Sequence, residues 1–98
     1  MKVEFQDSEL EEMAYDSNYK GNWSPVIVKA FRKRLNLINQ AIDKQDLRAF
    51  KSNRLKKLKG QRHGQYSIRL NDQYRLIIQF KTRQGKKIVS IIKIEDYH

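Results

Sequence analysis

Residues 55–80 read LKKLKGQRHGQYSIRLNDQYRLIIQF, and this stretch decides the fold. It begins as a basic loop, Lys56-Lys57-Leu58-Lys59-Gly60-Gln61-Arg62-His63-Gly64. Two runs of alternating apolar and polar residues follow, the signature of half-buried strands. In the first, Tyr66, Ile68 and Leu70 share one face while Ser67 and Arg69 share the other. In the second, Tyr74, Leu76, Ile78 and Phe80 oppose Arg75, Ile77 and Gln79. Joined by the loop Asn71-Asp72-Gln73, the runs should pair Leu70 with Tyr74, Arg69 with Arg75 and Ile68 with Leu76. A one-residue slip would turn one apolar set to water, so the pattern selects this register. The same register sets two arginines opposite each other on the face away from the core. Like charges opposed across strands destabilise a sheet unless something anionic sits between them.

Downstream, Ile88, Ser90, Ile92 and Ile94 alternate with Val89, Ile91 and Lys93, which predicts a third strand. A turn over residues 82–86 with Gly85 joins it to the second. Pairing Phe80 with Ile88 then predicts Arg75 opposite Lys93, and a row of Arg69, Arg75 and Lys93 across three strands. Upstream, residues 2–5 read as a short edge strand. Asp7-Ser8 offers an N-cap, and Ser8 with Glu11 fits a capping box for a helix over 9–15. Residues 16–23 read as a loop, and Ser24-Pro25 as a helix start. Val28, Phe31, Leu35, Ile38 and Ile42 recur at spacings of 3, 4, 3 and 4, one apolar stripe on a helix over 25–42. The basic cluster Lys29, Arg32, Lys33 and Arg34 on that helix reads as a solvated face. A short helix over 46–50 follows. The order gives an α+β domain, with N-terminal helices packed on one face of a mainly antiparallel β-sheet.

Ninety-eight residues suit one domain, 1–98, with a modest core that needs no metal or disulfide. The absence of Cys suits a reducing compartment. No run approaches the roughly 18 apolar residues of a membrane span, and no signal-peptide segment opens the chain. A soluble cytosolic protein without membrane contact is expected. Two histidines without Cys or clustered carboxylates give no metal signature, and no cofactor is expected. Charge is segregated. Residues 1–50 carry 8 basic and 8 acidic side chains, whereas residues 51–98 carry 13 basic and 3 acidic. The formal +10 therefore belongs to the second half, which suggests a site for polyanions, chiefly nucleic acid.

Three features coincide in the basic half: the Leu58-Lys59-Gly60 loop, the Asn71-Asp72-Gln73-Tyr74-Arg75 hairpin and the terminal Glu95-Asp96-Tyr97-His98. Together they resemble the HigB-type toxins of the RelE/ParE superfamily of bacterial toxin–antitoxin systems. The resemblance runs along essentially the whole chain and is strongest over 53–98. It implies a small endoribonuclease that cuts mRNA on the ribosome without a metal, and a helix-turn-helix antitoxin (HigA-like) that silences it. Lys59 matches the family's loop lysine, Arg75 its hairpin arginine, and Asp96, Tyr97 and His98 its closing Asp-Tyr-His. One position departs: many relatives have a histidine three residues before the loop lysine, where this chain has Lys56.

RNA can be cut by its own 2′-hydroxyl attacking the adjacent phosphorus. Such a site needs a base, cations for the charge building on the phosphorane, and an acid for the departing 5′-oxygen. Arg75 suits the phosphate because guanidinium makes forked contacts and stays charged. Lys59 is a second candidate cation. Lys56 and Lys59 stand among like charges, which favour proton loss, so either is a candidate base. His98 is the candidate acid: its own carboxylate and the nearby Asp96 favour the imidazolium. Tyr97 could stack on a base or donate a proton. Arg54, Lys57, Arg62, Arg69 and Lys93 are the flanking cations expected to meet RNA phosphates. Two other functions share the pattern, a gyrase-inhibiting ParE-like toxin and a non-catalytic nucleic-acid-binding module.

Overall fold

The computed structural model describes residues 1–62 and 64–97. His63 and His98 lie outside the described residues. The chain runs β1 (Lys2–Phe5), α1 (Ser8–Tyr15), α2 (Pro25–Gln40), α3 (Lys44–Ala49), β2 (Lys56–Lys57), β3 (Gln65–Arg69), β4 (Tyr74–Arg83) and β5 (Lys86–Asp96). Short 3-10 turns at Lys51–Asn53 and Gly60–Arg62 flank β2. The sheet order is β1-β5-β4-β3-β2, with β1 parallel to β5 and the other pairs antiparallel. The α+β architecture expected from the sequence is present. Among the described residues no helix is long and apolar enough to cross a membrane.

The helices form where their caps and stripes dictate. Asp7, rather than Ser8, caps α1, accepting from the backbone N–H groups of Glu9 and Leu10. The capping box therefore gives way to a single Asp cap. Ser24 caps α2 through Ile27 N–H, with Pro25 at the first turn. The buried stripe of α2 is Ile27, Phe31, Leu35 and Ile38. The helix stops at Gln40, two residues before the expected end, because Ala41 turns extended (ψ 143). Ile42 is thereby left in the connection to α3, 78% exposed, its N–H bound to Asp46 Oδ2 at 2.8 Å. Asp43 caps α3, which begins at Lys44 rather than 46.

The helices bury these stripes, with Leu10, Met13 and Leu47, against one face of the sheet. That face presents Tyr66, Ile68, Leu76, Ile78, Val89 and Ile91. A fully buried side chain of this size contributes roughly 1.5–3 kcal/mol, so this layer dominates stability. Trp23 and Tyr74 meet edge to face at 5.2 Å at its margin. Lys44 Nζ donates to the buried Tyr66 hydroxyl at 3.1 Å, which holds that phenol below its ordinary value and ties α3 to β3.

The basic cluster on α2 is not simply solvated. Arg32 donates to the carbonyls of Met13 and Asp16 at 2.9 and 2.8 Å, pinning the end of α1. Arg34 donates to Arg69 O at 3.0 Å, Asn53 Oδ1 at 3.0 Å and Ser52 O at 3.3 Å. Asn53, 1% exposed, completes the bracket by donating to Leu47 O at 3.0 Å. This bracket fixes the chain entering β2 against both α3 and β3.

The first hairpin has the expected register, with Arg69 opposite Arg75 and Ile68 opposite Leu76. The second does not. Its turn is the two residues Gln84-Gly85, both at positive φ (53° and 76°), a geometry that glycine adopts without strain. That shifts pairing by one residue, so Phe80 faces Val89. A bulge at Ile92, between the Ile77/Lys93 and Ile78/Ile91 pairs, shifts it again. Arg75 therefore faces Glu95 rather than Lys93, and Lys93 faces Ile77. The expected row of three cations across the sheet does not form. The basic loop is also not all loop, since Lys56-Lys57 pairs with Ser67 and Tyr66 as an edge strand.

Candidate active site

The sheet face turned away from the helices carries Lys56, Ser67, Arg69, Arg75, Ile77, Lys93 and Glu95, by alternation from the paired registers. Arg75 is its centre. Arg75 Nη1 donates at 3.4 Å to both Arg54 O and Ser67 Oγ. The guanidinium carbon lies 4.4 Å from the centroid of the Tyr97 ring, a cation–π contact. Nε and Nη2 make no hydrogen bond among the described residues. A planar donor fork is thus held in place by long, weak contacts, with donors to spare among the described residues.

Local structure positions each neighbour. Arg54 sits in the left-handed region (φ 45, ψ 50) at the end of the first 3-10 turn, which aims its carbonyl at Arg75. The Arg34–Asn53 bracket lies just before it. Tyr97 is held by its backbone N–H, which donates to Gln73 O at 2.6 Å, so the tail is tied to the first hairpin. Tyr97 remains 44% exposed and can be covered by a ligand. Lys56 is opposite Ser67, which puts it beside the hydroxyl that Arg75 touches.

Part of this face is covered. Arg62 Nη1 meets Glu95 Oε2 at 2.8 Å, although Arg62 belongs to the connection between β2 and β3 and Glu95 to β5. The bond therefore reaches across β4, so the connection between β2 and β3 covers part of this face. Beneath it Ser67 and Ile77, a cross-strand pair, are 1% exposed each. Gly64 closes the turn at φ 82, where a side chain would also crowd Gln79 Nε2. Lys93 Nζ takes the other Glu95 oxygen at 3.3 Å. The Arg62 hydrogen bond, reinforced by Lys93, holds the Glu95 carboxyl below its ordinary value despite partial burial.

Other expected site residues lie elsewhere. Arg69, opposite Arg75, is ion-paired with Asp72 in its own hairpin. Lys57 is opposite Tyr66, on the helix side of its strand. Asp96 is opposite Tyr74, on the other side of β5 from Glu95, and accepts from Gln73 Nε2 at 3.1 Å. Lys59 is exposed at the start of the covering turn. His98, the candidate acid, lies outside the described residues. The sequence assigns no role in the site to Ser67, Glu95, Arg34 or Asn53, which the structure places in or beside it. Glu95 belongs to the terminal Glu95-Asp96-Tyr97-His98 motif, but the register expected for the second hairpin put Lys93, not Glu95, opposite Arg75. Among the described residues no cluster of His, Cys, Asp and Glu could hold a metal ion.

The comparisons agree with this architecture. The family model described as RelE-like toxin of type II toxin–antitoxin system HigB matches residues 3–98. The chain is 36% identical over 80 residues to Toxin HigB-1 of Vibrio cholerae serotype O1, covering 82% of this chain and 84% of that toxin. Among solved structures it is similar to a YoeB/ParE toxin from Agrobacterium tumefaciens, with TM-score 0.61, 14% identity and full coverage of both chains. It is also similar to a chain of a YoeB–YefM complex from Staphylococcus aureus, with TM-score 0.56 and 22% identity, covering 100% of this chain and 97% of that one. At those identities the structural likeness speaks for the fold. The family match over nearly the whole chain and the identity to a HigB toxin place this chain in the HigB-like family, the RelE-like toxins of type II toxin–antitoxin systems.

Proposed function

We propose that this toxin is an endoribonuclease that cleaves mRNA on the ribosome, in the cytosol. The single observation that carries this reading is Arg75. Its guanidinium, with donors to spare among the described residues, lies beneath a half-exposed aromatic residue on a helix-free, basic sheet face. In the proposed reaction the ribose 2′-oxygen attacks the adjacent phosphorus and the bond to the 5′-oxygen breaks. The products are a 2′,3′-cyclic phosphate and a 5′-hydroxyl. Arg75 binds the phosphate and stabilises the charge building on it, the largest single contribution such a site can make. Tyr97 stacks on a nucleobase while it orients Arg75. Lys56, beside Ser67, and Lys59 are the candidates to take the 2′-hydroxyl proton. His98 is the proposed donor to the leaving oxygen, with Asp96 two residues away favouring its protonated form. Arg54, Lys57, Arg69 and Lys93 supply the surrounding positive field for ribosomal and messenger RNA.

The partner proposed for silencing is a helix-turn-helix antitoxin, HigA-like and acidic where it meets this basic face. The decisive experiment adds the purified toxin to a defined mRNA under translation and maps new 5′ ends. Discrete cuts that require ribosomes support the reading. Intact mRNA with inhibited gyrase would replace it with the ParE-like activity, and RNA binding without cuts would leave a binding module. Expression of the chain alone should arrest growth, and co-expression of the adjacent open reading frame should relieve the arrest.

A further inference from the structure

Glu95 stands directly opposite Arg75, on the same sheet face. At that spacing opposite charges on neighbouring strands ordinarily pair. Among the described residues these two do not. Both carboxylate oxygens are already taken, Oε2 by Arg62 Nη1 at 2.8 Å and Oε1 by Lys93 Nζ at 3.3 Å. Arg75 turns instead to a carbonyl and a hydroxyl, each at 3.4 Å, contacts that an incoming anion can displace. Among the described residues the other Arg62 nitrogen, Nη2, is buried and has no hydrogen-bond partner.

We infer, on the ribonuclease reading above, that Arg62 is a positioning residue that holds the Glu95 carboxylate away from Arg75. Without Arg62 a Glu95 oxygen is released on the strand directly opposite Arg75 and competes with the RNA phosphate. Two negative groups would then share one guanidinium, and like charges brought together at a binding site are strongly unfavourable. The alternative is that Arg62 itself contacts RNA phosphate. The two roles predict opposite results when Glu95 is neutralised in the absence of Arg62.

The test compares Arg62→Ala with the double variant Arg62→Ala/Glu95→Gln, with Arg62→Gln substituted if the alanine protein does not fold. Two readouts are taken: single-turnover cleavage on translating ribosomes, and the NMR resonance of the Arg75 Nε–H group, assigned by its loss in Arg75→Ala. Arg62→Ala should slow cleavage at least about tenfold and shift the Arg75 resonance as a carboxylate pairs with it. The double variant should return the resonance and restore cleavage to within about threefold of the unmodified protein. A double variant as slow as Arg62→Ala, or an Arg75 resonance unmoved in Arg62→Ala, overturns the inference in favour of direct phosphate contact. If the resonance moves and returns as stated while even the unmodified protein cuts no RNA, the positioning role stands and the ribonuclease reading falls.

Discussion

The Tyr97 ring covers the Arg75 guanidinium, with 4.4 Å between its centroid and the guanidinium carbon. One ring thus both steadies the phosphate-binding group and offers an exposed surface to a base. Base stacking on an aromatic side chain is worth about 1–3 kcal/mol. Tyr97→Ala should therefore slow cleavage by roughly 5- to 150-fold. Tyr97→Phe keeps the ring and should stay within a few-fold of the unmodified protein. If Phe is as slow as Ala in single-turnover assays, the hydroxyl rather than the ring carries the function.

Arg75→Ala removes a charge from an arginine-facing pair and leaves the helix-side core untouched. Its melting temperature should change little. Cleavage should fall at least about 10²-fold, the usual effect of deleting one preorganised charge stabiliser. Arg75→Lys should recover little of this, because an ammonium lacks the planar fork. Retention of full activity by Arg75→Ala would remove Arg75 from the centre of the site.

The Arg34–Asn53 bracket makes a prediction about stability rather than chemistry. Asn53→Ala strips partners from Leu47 O and from the Arg34 guanidinium in a buried setting. Such a loss costs about 1–3 kcal/mol, visible as a lower urea midpoint. Because Arg54 follows directly and contacts Arg75 through its carbonyl, cleavage should also decline. An unchanged midpoint would show that the bracket forms without contributing to stability.

Glu95 gives stability a pH dependence of known sign. Its folded-state value is depressed from the ordinary 4.5, by the Arg62 hydrogen bond first and Lys93 after it. Its contribution is therefore fully present above the ordinary value and is lost as pH falls through the folded value. Glu95→Gln should flatten the acid limb of a stability–pH curve and leave its shape near neutrality unaltered. An acid limb of the same steepness in the variant would assign it to other carboxylates, with Glu4, likewise depressed by Arg83 and Lys81, the next to test.

Charge segregation makes a prediction about binding. With 13 basic and 3 acidic side chains in residues 51–98, association with RNA should release counterions. Affinity should fall steeply between about 50 and 200 mM salt. A flat salt dependence would show that the basic face does not track phosphates.

Much of this molecule is legible in residues 55–80 because the relevant pairings there are local. Period-two alternation assigns each side chain to a face, and a three-residue loop leaves few registers open, so Arg69 opposite Arg75 follows from the sequence. Ser24-Pro25 likewise marks the start of α2 through cap chemistry confined to one turn. Features that side-chain periodicity does not encode were not legible. The end of α2 is decided by Ala41 and the capping of α3, so the stripe's last member, Ile42, lies outside the helix. The second hairpin depends on Gln84 accepting a left-handed backbone and on a bulge at Ile92, neither of which alternation encodes. Those two one-residue shifts put Glu95, not Lys93, opposite Arg75. The Arg62–Glu95 pair joins residues 33 apart, and Arg34 reaches Asn53 across 19. Local sequence determined which residues share a face, because backbone periodicity sets side-chain direction. Only the tertiary structure decided which charges on that face neutralise one another, because ion pairing depends on distances that folding sets.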